Sequence, residues 1–294
     1  MSIQPVSMIQ IPHSSDFLPA DFSSLGFETI EAGREVARIV ASTAAQEKSG
    51  KTHWGVLTWP DPMAVFSLDT GTRMIVEKAL RSGRRIVYNK FLVPETQFKD
   101  DNKAKALSGA ERKTAEQEWD RFKDSIRKVI EYPKLRSLII DTATEMWELA
   151  RMARFGKTTQ VPPQLYVALN AEMRELLTSV YERQDLNVLF IHKMKKEYKS
   201  KAGLDKEVWS GRWERAGFGD LPYIVDMNLE NYFNHETMRF GVRVLDCPRS
   251  NPQVIGQEFE DAADGSPMGA FPWMAVACFP DTDLAYWAPR GWNG

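Results

Sequence analysis

The chain has 294 residues, of which 43% are hydrophobic and 27% charged, and a formal net charge of −2. That composition describes a globular chain and excludes a globally basic field, so any nucleic-acid surface must be local. No apolar run approaches membrane-spanning length, and the two cysteines, Cys247 and Cys278, lack metal-like spacing and are expected as thiols in a reducing compartment.

Residues 1–33 contain no Lys or Arg, which removes the cationic start of a secretory signal, and a cytoplasmic location is expected. Phe17, Leu18, Phe22, Leu25, Phe27 and Ile30 are too many apolar side chains for a purely solvated tail. Residues 1–34 therefore read as an extension lying on the domain or on a neighbouring subunit.

The next segment, Glu35 to Ser42, ends in a short apolar run of strand type. It leads into AQEKSGKT, Ala45 to Thr52, which fits the relaxed phosphate-binding loop: a small residue, then Gly-Lys-Thr, then a helix. Backbone N–H groups of such a loop wrap a phosphate, and the helix start turns its positive end toward the anion. Ala45, Gln46, Glu47, Lys48, Ser49, Gly50, Lys51, Thr52 and His53 are the expected nucleotide contacts, with Lys51 on the outer phosphates and Thr52 on magnesium. Ala45 stands where a glycine is common, and Lys48 is poorly suited to a position of positive φ.

Met63 to Asp69, MAVFSLD, reads as a strand ending in Asp-Thr-Gly. Working residues of parallel sheets collect at such strand ends, so Asp69 either positions an attacking water or only forms a turn. Ser108 to Tyr132 is predicted as an amphipathic helix opened by a capping box, Ser108 with Glu111, and facing inward through Trp119, Phe122, Ile126, Val129 and Ile130. Leu135 to Asp141, LRSLIID, is a buried-strand pattern whose terminal acid either sits beside Thr52 on the magnesium side or merely caps the following helix. That helix runs through Met146, Trp147, Leu149 and Ala150, and another covers Pro163 to Tyr181.

Leu186 to His192 is the next buried strand, and His192 at its end reads either as a sensor of the terminal phosphate or as a satisfied core histidine. Behind it lies a basic loop holding Lys193, Lys195, Lys196, Lys199 and Lys201, with Tyr198 among them. Such a loop suits a single-stranded phosphate backbone with a base stacked on the ring, or is simply a solvated loop. Asp220 to Phe233 and Met238 to Cys247 read as an antiparallel hairpin, with Arg243 and Arg249 on or after it as either neighbour-reaching fingers or surface cations. From Gly256 on, the chain is rich in Pro, Gly and Trp, with FPWMAVACF its only strand-like run.

The order of AQEKSGKT, MAVFSLDTG, LRSLIIDTATEMWELA, NVLFIHK, GDLPYIVD and RVLDCPRS resembles the phage nucleotide-binding proteins of the RecA-like ATPase type, over roughly Glu35 to Gln257. The resemblance implies an α/β fold: a RecA-like P-loop NTPase core with a mainly parallel sheet flanked by helices and a C-terminal antiparallel hairpin. It implies ATP with Mg2+, single-stranded DNA as partner, homo-oligomeric rings or filaments, and the host cytoplasm as location. It carries over Gly50, Lys51 and Thr52 as phosphate and magnesium contacts, Asp141 as the magnesium-side acid and His192 as the sensor. Such enzymes tend to carry a glutamate where this chain has Gly71, so Asp69 or Glu145 is left as the water-activating carboxylate, with Arg249 as a further catalytic candidate. The expected organisation is an extension at 1–34, a core at 35–257 and an aromatic tail at 258–294. The expected activity is ATP-coupled handling of single-stranded DNA in recombination or replication. The alternative is a nucleotide-binding protein with little turnover that docks on a phage or host protein through its tails.

Overall fold

The structure, a computed structural model, describes residues 36–94, 106–157, 161–200, 207–247, 251–261 and 270–289. The extension at 1–34, Lys201 and Arg249 lie outside these residues, as does the end of the C-terminal segment.

Strand β1 (Val40–Ala45) is buried along its whole length except at Ala44 and stands in the middle of a mostly parallel sheet. Its neighbours are β5 (Asn187–Ser200) and β7 (Met227–Asn234), both parallel to it. Beyond β5 come β4 (Ser137–Asp141), β2 (Met63–Ser67) and β3 (Ile86–Lys90), again parallel. On the other side β8 (Arg239–Asp246) and β9 (Glu258–Glu260) close the sheet with antiparallel pairings. Strands buried on both faces must be apolar on both, which is why SLIID and NVLFI carry continuous apolar runs. In β4, Leu138 and Ile140 join the core on one face of the sheet, and Ile139 joins the core on the other.

Helices cover both faces. One core gathers α3 (Gly109–Glu131), α4 (Ala143–Phe155) and α5 (Tyr166–Ser179). The predicted capping box opens α3: Ser108 Oγ accepts from the Glu111 N–H and Glu111 Oε2 accepts from the Ser108 N–H. The opposite core gathers α1 (Lys51–Thr58) and α7 (Ala270–Cys278), with α8 (Leu284–Trp287) beside them. Among the described residues no helix is long and apolar enough to cross a membrane.

Four expectations change. The lysine-rich stretch is not a loop: β5 continues out of the sheet to Ser200 and pairs antiparallel with β6 (Glu207–Arg215), making a projecting two-stranded arm. Alternation of Lys with Met194 and Tyr198 is a strand period that the density of charge conceals. The segment before β7 is a short helix, α6 (Leu221–Ile224), where Pro222 supplies a helix-compatible φ in the first turn. FPWMAVACF is the helix α7, because an apolar run without periodicity suits a buried helix as well as a strand. Finally, the C-terminal segment is core rather than appendage among its described residues. The Phe271 ring lies 4.3 Å from Trp59, and Phe271 also meets Trp54 and Trp287. Two elements, α2 (Thr72–Arg81) and β3, have no counterpart in the sequence reading.

Candidate functional site

The loop after β1 curls because two of its residues take a left-handed backbone, Lys48 at φ 60° and Gly50 at φ 81°. Glycine accepts that conformation freely, whereas lysine does so at a cost. The curl is closed from inside by Lys51, whose Nζ donates to the carbonyls of Ala45 at 2.8 Å and Gln46 at 2.6 Å. Burial pushes the Lys51 ammonium below its usual range, with Asp141 opposing.

Phe240 of β8 packs on the outside of the loop. A Cβ at Gly50 would fall 2.3 Å from Phe240 Cδ1. Gly50→Ala is therefore expected to destabilise the fold by about 1–2 kcal/mol from the backbone alone, with the ring displaced in addition. Urea unfolding measures this, and an unchanged midpoint would contradict the packing of Phe240 on the loop.

Asp141 ends β4 on the floor of the same space, one strand removed from β1. Its Oδ2 accepts from Thr52 Oγ1 at 2.8 Å and from Thr72 Oγ1 at 2.7 Å. Burial raises its pKa, while these two hydroxyl bonds favour the ionised form. Thr72 is a site residue that sequence reasoning missed; it follows the Asp-Thr-Gly turn at the start of α2. The Asp69 carboxylate caps its own turn, with Oδ1 accepting from the Thr70 N–H at 2.6 Å.

The loop, Asp69 and Asp141 line one cavity of about 1010 Å3. All nine loop residues from Ala45 to His53 border it, with Asp69, Asp141 and Lys193. Met194, Trp213 of the arm and Phe240 also border it, and none of the three is a nucleotide contact in the sequence reading. A second cavity of about 800 Å3 adjoins it, sharing Gln46 to Ser49, Met194 and Trp213 and reaching Arg212, Tyr232 and His235.

His192 does not border the first cavity. It is wholly buried, with Nδ1 2.9 Å from the Ala216 carbonyl, which fixes the hydrogen on Nδ1 and leaves Nε2 without a hydrogen-bond partner. Burial first and Arg215 second push its pKa down from 6.5 to about 3. Unfolded chains therefore bind the extra proton between those values. Stability is full above pH 6.5 and falls as pH drops toward 3, by at most about 1.4 kcal/mol per pH unit. Replacing His192 by Gln is expected to flatten that slope in unfolding free energies measured from pH 7.5 to 4.5, and a parallel profile would refute the assignment.

Of the arm's lysines, Lys195 pairs with Glu214 at 3.2 Å and Lys199 with Glu197 at 3.2 Å. Lys193 pairs with Glu145. Lys196 instead lies over the Trp209 ring, 5.1 Å from its centroid. Lys196 faces Trp213 and Tyr198 faces Trp209 across the ladder, so these four share one face of the arm. Tyr198, Trp209 and Trp213 are all exposed. Arg243 is held within the chain by Glu258 and by Glu230 at 3.3 Å.

A scan of the chain against protein-family models finds no match, and a search among curated proteins finds none.

Proposed function

We propose that the protein is a P-loop ATPase of the RecA-like type that binds Mg-ATP in the cavity at Ala45–His53 and handles single-stranded DNA with its arm, in recombination or replication. The observation that carries this reading is the curled loop itself, closed by Lys51 and set beside the Thr52–Asp141 pair within one cavity. A nucleoside triphosphate needs a wrap of backbone N–H groups, a cation and a magnesium side, and these residues supply that chemistry.

The donor set fits magnesium. Thr52 offers a hydroxyl and Asp141 a carboxylate, and such ions take their remaining positions from phosphate oxygens and water. Thr52 and Asp141 would hold the ion, which would supply neutralisation of phosphate charge, while Lys51 orients the phosphates and the loop amides hold them.

The aromatic face of the arm supports the DNA part. Tyr198, Trp209 and Trp213 are suited to stacking on unpaired bases, and Lys196 supplies charge between them. Trp209→Ala is expected to weaken oligo-dT binding by about 10-fold, since base stacking on an aromatic contributes ~1–3 kcal/mol. Fluorescence anisotropy of a labelled oligonucleotide measures this, and unchanged affinity would remove the arm from the DNA surface.

A second reading, nucleotide binding with little turnover, draws on Asp69. Its carboxylate is engaged in its own turn and lies 3.8 Å from Lys193, so water activation requires it to be released. Steady-state ATP hydrolysis with and without oligo-dT separates the two. Hydrolysis that rises with the oligonucleotide supports the ATPase; binding without hydrolysis supports the second reading; absence of binding overturns both.

A further inference from the structure

Lys193 stands apart from the other arm lysines. It is the register partner of Ala45, the residue that opens the phosphate loop, and it lies two positions beyond Ile191, the partner of Asp141. Its Nζ bonds Glu145 Oε1 and lies 3.8 Å from Asp69 Oδ2, and its side chain borders the same cavity as Lys51 and Thr52. The backbone at this residue is clamped on both sides. Its N–H donates to Thr144 Oγ1 at 3.0 Å, and its carbonyl accepts from the Ala216 N–H at 2.9 Å. Thr144 Oγ1 and His192 Nδ1 both reach the Ala216 carbonyl, at 3.2 and 2.9 Å. The main chain is thus pinned to α4 and to the root of β6, while the ammonium, about half exposed, remains able to exchange partners.

We infer that Lys193 is a ligand of the terminal phosphate of a nucleoside triphosphate, and not a DNA contact as its place in a lysine-rich run suggests. This deepens the nucleotide reading of the cavity and rests on it. Three lines of chemistry carry the assignment. Lys193 Nζ is bonded to Glu145 and borders the cavity beside Asp69 and Asp141, where an added phosphate meets negative charge and needs a cation. An ammonium bonded to a carboxylate exchanges it for a phosphate oxygen without any unpaired intermediate charge being buried. The clamped backbone fixes where the side chain starts, so the swing involves side-chain torsions alone. When the terminal phosphate takes the ammonium, Glu145 and Asp69 lose their cation together. The triphosphate is therefore distinguished from the diphosphate by a residue sitting at the root of the arm.

The test is calorimetric titration of the full chain with Mg-ATP and, separately, Mg-ADP, for the wild type, Lys193→Met, Lys193→Arg and Glu145→Gln. The wild type is expected to bind ATP at least 10-fold more tightly than ADP, the lower end of the ~1.5–3 kcal/mol for a charged hydrogen bond. Lys193→Met should bring that ratio close to one by weakening ATP alone, and Lys193→Arg should restore part of it. Glu145→Gln keeps the ammonium but removes its competitor, so ATP should tighten while ADP does not. An undiminished ATP/ADP ratio in Lys193→Met overturns the assignment. So does a loss of oligo-dT affinity in Lys193→Met with a salt slope smaller by about one, since that pattern marks a DNA phosphate contact. If the wild type binds neither nucleotide, the nucleotide reading of the cavity fails and the assignment with it. If it binds both equally, only the assignment fails. Thermal melting of each variant identifies any that does not fold, and Glu145→Gln leaves Lys193 itself intact.

Discussion

Lys51→Ala is expected to weaken Mg-ATP binding by about 100-fold, the loss that follows from removing a charge-assisted hydrogen bond worth ~1.5–3 kcal/mol in a partly desolvated site. The ammonium closes the loop through the Ala45 and Gln46 carbonyls, so its removal also loosens the curl before any nucleotide arrives. Both effects lower affinity. The nucleotide-free fold should change little, because the sheet behind the loop is held by β1 and its two parallel neighbours. Isothermal titration calorimetry measures the affinity and thermal melting the fold. An affinity within threefold of the wild type would exclude Lys51 from phosphate contact and remove the main support for a nucleotide site.

Trp287→Ala is expected to destabilise the chain by about 3–5 kcal/mol, the range for deleting a large aromatic from a packed core. Trp287 is wholly buried in a ring cluster that runs through Phe271 to Trp59, the C-cap of the loop helix, and to Trp54 within that helix. Its indole N–H donates to Thr282 Oγ1 at 2.7 Å, and the substitution removes that hydrogen bond as well. For a domain of this size the loss corresponds to a melting temperature lower by roughly 10 °C. If Trp287→Ala melted with the wild type and lost only the binding of another protein, the C-terminal segment would be a docking tail and not part of the core.

Much of the fold is legible in the sequence, and what is not has physical causes. Parallel strands buried on both faces announce themselves as apolar runs, and the Ser108–Glu111 cap announces its helix. The candidate site is equally legible where a local pattern fixes geometry: Gly50, Lys51 and Thr52 with Asp141. Lys48 is instructive because its unsuitability for positive φ is readable and it adopts that φ nevertheless, an instance of local strain held by its surroundings. Thr72, Phe240 and Trp213 are not legible, because Phe240 and Trp213 reach the cavity, and Thr72 reaches Asp141, from another strand or helix and no local spacing marks that. The arm was misread for a related reason. Charge density hid a strand period, and the carboxylates that neutralise Lys193 and Lys195 come from α4 and β6. His192 shows the limit of position as a guide, since the strand continues past it and its side chain is buried instead of bordering the cavity.

One length of chain, β5, belongs to two mechanical parts. Up to Lys193 it is paired with β1 in the sheet, and from Met194 to Ser200 it is one rail of the arm. Seven residues of extended chain carry the rail about 23 Å beyond Lys193. The fixed end of that rail is the ladder partner of Ala45, so the exposed rings of Tyr198 and Trp209 and the curled loop share one continuous strand as their common support.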